Sequence, residues 1–102
     1  AKYFLASVEM MNDYVNIQDY KSASTIASCL AKTVGKNNDE HEKLLRDAGI
    51  WLSLTDDKKE ALKILNKYIK VYRNGTFIDE IVIAKDSLFF TPTDENSTTK
   101  LQ

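Results

Sequence analysis

Glycine and proline are scarce, at 3 and 1 in 102 residues. All-β sandwiches and barrels need turn residues roughly every 8–12 positions, so this shortage argues against strands and points to helices. A single cysteine excludes an internal disulfide and fits a reducing compartment, which makes the cytoplasm the expected location. An excess of either charge is also missing: Lys plus Arg number 14 and Asp plus Glu 15, for a formal net charge of −1. The totals therefore carry no basic footprint, and no nucleic-acid partner is expected. Apolar stretches are interrupted by Lys, Asp or Glu well before the roughly 20 residues a membrane span needs. The basic, apolar, small-residue order of a signal peptide is lacking too. The chain opens without an initiating Met, directly into an apolar pattern, and an excised domain of a longer chain is the expectation. What is present is ordinary for one folded domain: 43% hydrophobic and 28% charged residues.

Along the chain the apolar residues recur at helical spacing. Phe4, Val8, Met11 and Val15 mark a first helix, and Ala23, Ile26, Ala27, Leu30 and Val34 a second, closed by Gly35. After a polar loop, Asp39 is the expected cap of a third helix, with Glu40 and Glu42 complementing its dipole and Leu44, Leu45, Ala48, Trp51 and Leu52 on its apolar side. Thr55-Asp56-Asp57 forms a capping cluster for a fourth helix through Ala61, Leu65, Tyr68 and Tyr72, ended by Asn74-Gly75. The stretch 77–90 contains the β-branched run Ile81-Val82-Ile83, compatible with a short strand. A fifth helix is preferred, because a lone strand would have no pairing partner. The expected organisation is a single α-helical repeat domain over residues 1–90 and a flexible polar tail over 91–102.

The second and fourth helices open alike. Asp19-Tyr20-Lys21-Ser22-Ala23 aligns with Asp57-Lys58-Lys59-Glu60-Ala61 at an offset of 38, which also pairs Ile26 with Ile64, Leu30 with Tyr68 and Lys32 with Lys70. A period of this size signals stacked helix hairpins. From Glu42 to Gly75 the sequence resembles a tetratricopeptide repeat. Leu45 and Leu52 stand at large apolar positions of that motif, and Leu65 at a third. Gly49 and Ala61 stand at its small positions, Gly49 where the two helices of a hairpin approach closely. The departures are Ala48 in place of a large residue, Tyr68 in place of a small one and Arg73 in place of the closing Pro. The first unit, over residues 4–37, matches less fully: Tyr14 and Ala23 fit, and Met11 occupies the glycine position. The offset also exceeds the family's repeat of about 34 residues, an excess assigned to the loop from Gly35 to Asn38. The resemblance implies an all-α fold of two antiparallel helix hairpins with a C-terminal capping helix. A shorter stretch, Asp19 to Leu30, is similar to a helix of Ras-type nucleotide-exchange domains, which are more than twice this length.

Residues for catalysis are thin on the ground. His41 is the sole histidine, flanked by Glu40 and Glu42 in a first helical turn, and is expected to be solvated. Cys29, beside Ile26 and Leu30, reads as a small buried thiol. The carboxylate pairs Asp56-Asp57 and Asp79-Glu80 diverge by about 100° on a helix and cannot converge on a metal. Lys58, Lys59, Lys63, Lys67, Lys70 and Arg73 form one basic run on the fourth helix, which reads as a solvated face.

The expected function is therefore a non-enzymatic protein-interaction module, an adaptor or scaffold without cofactor or metal. It would bind a peptide or partner helix in a helix-lined groove. In tetratricopeptide repeats the first helix of each hairpin lines that groove, which makes Val8, Asn12 and Val15 from the first unit and Lys43, Arg46 and Ile50 from the second the candidate binding residues. Asn12, Lys43 and Arg46 would grip the backbone or a carboxylate of an acidic peptide. The alternative is a helical structural or assembly domain that docks other parts of its own parent chain, with a fragment of a small-GTPase exchange factor a more distant reading.

Overall fold

The computed structural model describes residues 2–89, which form five helices and no strand: α1 (Lys2–Asn16), α2 (Tyr20–Val34), α3 (Asp39–Ser53), α4 (Lys58–Val71) and α5 (Ile78–Ser87). The tail expected over 91–102 lies outside the described residues. Each helix packs on the next in sequence, and α5 returns to touch α3 as well. The array is elongated: its radius of gyration of 14.9 Å exceeds the roughly 13 Å of a compact 100-residue domain.

Local chemistry sets the helix boundaries. Asp19 caps α2 by accepting the Ser22 amide at 3.2 Å and the Ser22 hydroxyl at 2.8 Å. Asp57 caps α4 in the same way, accepting the Glu60 amide at 3.3 Å. The paired residues Ala23 and Ala61 are both fully buried. α2 and α4 thus open on the same kind of aspartate cap. Gly35 ends α2 with φ of 79° and donates its N–H to the Ala31 carbonyl at 3.0 Å. At the α1–α2 turn the left-handed position falls instead to Gln18, at φ of 62°. Asn38, one residue before Asp39, is the cap of α3, accepting the Glu40 amide at 2.8 Å. The β-branched run from Ile81 to Ile83 is helical because Ile81 faces the core and is fully buried.

Small side chains bring α2 and α3 together. Ala23, Ala27 and Ala31 of α2 and Ala48 of α3 are almost completely buried, and the Ser24 hydroxyl donates to the Ala48 carbonyl at 2.8 Å. At α3–α4, a Cβ built on Gly49 would stand 2.8 Å from Leu65 Cδ2 and 3.3 Å from Ile64 Cγ2, so a larger residue there would push the Leu65 side chain aside.

Candidate functional site

The six residues expected to line a groove lie on two helices that do not touch. Val8, Asn12 and Val15 lie on α1, which packs on α2 alone, whereas Lys43, Arg46 and Ile50 lie on α3. Val8, Val15 and Ile50 are half-buried against the core, and Asn12 and Lys43 are exposed. Arg46 is engaged within the fold. Its Nε and Nη2 donate to Asp47 Oδ1 at 2.9 and 2.8 Å, its Nη1 lies 3.8 Å from Glu80 Oε2, and its Cζ sits 4.1 Å from the centroid of the Phe77 ring. The guanidinium thus ties α3 to the start of α5 through charge and a cation–π contact. Burial raises the Asp47 carboxyl above its ordinary value, against the opposing pull of Arg46 and Lys43.

Next to this cluster is a second polar network. The Glu42 carboxylate accepts the Tyr68 hydroxyl at 2.5 Å and the Thr76 amide at 2.7 Å, while the Phe77 amide donates to the Tyr68 oxygen at 3.0 Å. Gly75 makes room for it, since a Cβ there would fall 2.5 Å from both Glu42 Oε2 and the Tyr68 oxygen. Burial, then the bond to Glu42, pushes the Tyr68 hydroxyl well above the ordinary tyrosine range. These contacts tether the α4–α5 turn to the first turn of α3.

A concavity lies elsewhere. A groove of about 670 Å³ runs between α2 and α4, across the start of α3, and falls within the roughly 300–1,000 Å³ of ligand sites. Each wall is one helix face at i, i+4 spacing: Ser28 and Lys32 on α2, His41 and Leu45 on α3, Lys63 and Lys67 on α4. No protein-family model matches the chain, and neither a curated protein nor a solved structure matches it. The geometry of the molecule itself therefore carries the functional argument.

His41, expected in solvent, is 5% exposed at this groove. The α3 start is covered by the end of α4, where the Tyr72 hydroxyl lies 2.5 Å from His41 Nδ1. Burial lowers the His41 pKa from its ordinary value, and the charges of Lys67 and Lys36 lower it further. Cys29, expected to be buried, is exposed, because α2 turns Ala23, Ala27, Leu30 and Ala31 inward and leaves position 29 on the outer side. Among the described residues no group of three or more His, Cys, Asp or Glu side chains could hold a metal ion. No helix of the described residues is long and apolar enough to cross a membrane.

The sequence reading placed Lys63 and Lys67 on a solvated face of the fourth helix. It missed that Lys32 and Lys36, about thirty residues earlier, stand across the groove from them. The only available signal was the pairing of two lysine-bearing helices at the 38-residue offset.

Proposed function

We propose that this chain is a non-enzymatic protein-interaction module and that the groove between α2 and α4 is where it takes a peptide or partner helix. The observation that carries this reading is the groove's composition. Its floor is apolar, from Ala31, Leu45, Ile64 and Val71, while its rims are polar. A helix or extended segment can bury apolar side chains on such a floor and place polar ones against the rims. The tetratricopeptide resemblance supports the same class of function, with the binding surface moved from the α1 and α3 faces to the α2 and α4 faces.

The test is selection of binders from a random peptide library on the intact chain, followed by binding to a Ser28→Trp variant. Ser28 is half-buried on the groove wall, so an indole there fills the groove without entering the core. Selected peptides should lose affinity for Ser28→Trp while the variant melts like the parent. Peptides that bind both proteins equally would rule the groove out.

A second reading, a structural piece of a larger assembly, is favoured by the two ends of the array. Leu5, Met10 and Ile17 at the α1 end and Val82, Ile83 and Phe89 at the α5 end are large apolar residues left exposed.

A further inference from the structure

We propose that the occupant of the α2–α4 groove is an acidic, amphipathic helical segment of a partner protein. This rests on the reading of that groove as the docking site and adds the chemistry of its ligand. Lys32 and Lys36 stand on one rim, Lys63 and Lys67 on the other, and Glu60 is the one acidic residue among the described residues lining it. All four lysines are exposed, so their charges are free to meet a ligand, and together they make a positive strip on a chain whose net charge is −1. Two rows of cations with an apolar floor between them complement one shape of ligand. That ligand has apolar side chains along one stripe and carboxylates flanking it on both sides, as in an acidic amphipathic helix.

Two further features favour a peptide over a nucleic acid. The lining holds no Arg, Phe, Tyr or Trp, so it offers neither stacking platforms for bases nor guanidinium forks for phosphates. The floor is also apolar where a phosphate backbone would need donors.

Fluorescence anisotropy with designed probes tests this. The first probe is a labelled helical peptide of about 16 residues with Leu at i, i+3, i+4 and i+7 and Glu elsewhere. The second has Gln for every Glu, and the third is an oligothymidylate of equal charge. The acidic peptide should bind at least about tenfold more tightly than the Gln peptide and weaken as salt rises from about 50 to about 200 mM. It should lose at least about tenfold in affinity to Lys63→Glu/Lys67→Glu but less than about twofold to Lys59→Glu/Lys70→Glu, whose positions lie outside the groove. Circular dichroism and melting establish that both variants fold. Equal binding of the acidic and Gln peptides, equal losses in the two double variants, or oligothymidylate binding as tight as the acidic peptide would each overturn the proposal. If the Gln peptide binds the parent as tightly as the acidic one and is lost on Ser28→Trp, the groove stands and only the acidic preference fails. If neither peptide responds to Ser28→Trp, the groove reading fails with it.

Discussion

In the α1–α2 pair and the α3–α4 pair the second helix opens on the same cap, with Asp19 at φ −89°, ψ 73° and Asp57 at φ −88°, ψ 67°. They are closed by different means. The second pair packs across Gly49, where a Cβ would stand 2.8 Å from Leu65 Cδ2. The first has Met11 at the aligned position, buried in the core as a filler side chain. The second pair is further tied to α5 by the Glu42 carboxylate and the Arg46 guanidinium, whereas α1 packs on α2 alone and leaves Leu5, Met10 and Ile17 exposed. The α3–α4 pair is thus held by a close contact and polar ties, whereas α1 leaves apolar side chains exposed.

The largest effect should come from breaking the close packing. Gly49→Leu forces a side chain into space that Leu65 and Ile64 already fill, and should cost about 3 kcal/mol. Met11→Leu, at the aligned position, exchanges side chains of similar volume and should cost less than about 1.5 kcal/mol. Urea denaturation of both variants measures the difference. Equal losses would mean that the two pairs are closed alike.

Next in size is the lock itself. Glu42→Ala takes the acceptor from the buried Tyr68 hydroxyl and from the Thr76 amide, and an unpaired buried donor costs about 1–3 kcal/mol. A loss of about 2 kcal/mol is expected, with faster amide exchange across α5 and little change in α1. Uniform exchange across both ends would show that α5 is held by its apolar contacts instead.

These two sites show what could be read along the chain. The cap at Asp57 and the stop at Gly35 were legible because each is made by residues three or four apart, and Asp19, aligned with Asp57, caps α2 in the same way. Gly49 was legible through the repeat. Glu42 does occupy the first turn of α3, as expected, but its carboxylate goes to Tyr68 and Thr76, 26 and 34 residues away. His41 is buried by Tyr72, 31 residues on. Such partners depend on how α4 crosses α3, which no spacing within one helix reveals. The groove was hidden for the same reason, since its lysines come from α2, the loop after it and α4, with α3 between.

His41 offers a pH test of that hidden burial. Its pKa is lowered in the folded chain, first by burial and then by Lys67 and Lys36, so between that value and the unfolded 6.5 the unfolded chain binds the extra proton. The stability linked to neutral His41 is therefore present above about pH 6.5 and is lost as pH falls towards the folded value. One proton limits the slope to about 1.4 kcal/mol per pH unit. Denaturation between about pH 7.5 and 5 should show this fall in the parent and a flatter profile in His41→Gln. NMR titration of the ring should give a pKa below 6.5, and a value at or above it would contradict the burial.

The smallest effects separate the two cations on α3. Lys43 and Arg46 lie one turn apart, and both were expected to face a ligand. Arg46 is instead held against the Phe77 ring, Asp47 and Glu80, with its side chain 19% exposed. Arg46→Glu gives up the cation–π contact and sets a third carboxylate beside two others, for a loss of about 1 kcal/mol. Lys43 is exposed, and Lys43→Glu should stay within about 0.5 kcal/mol of the parent. Separate melting curves for the two single variants, which a combined charge reversal would blur, measure the gap. A destabilised Lys43→Glu beside an unchanged Arg46→Glu would place the structural cation one turn earlier and dissolve the link from α3 to α5. An Arg46→Glu variant that melts early while Lys43→Glu does not would assign Arg46 to holding α3 and α5 together and leave Lys43 as the one cation of the pair free to meet a partner.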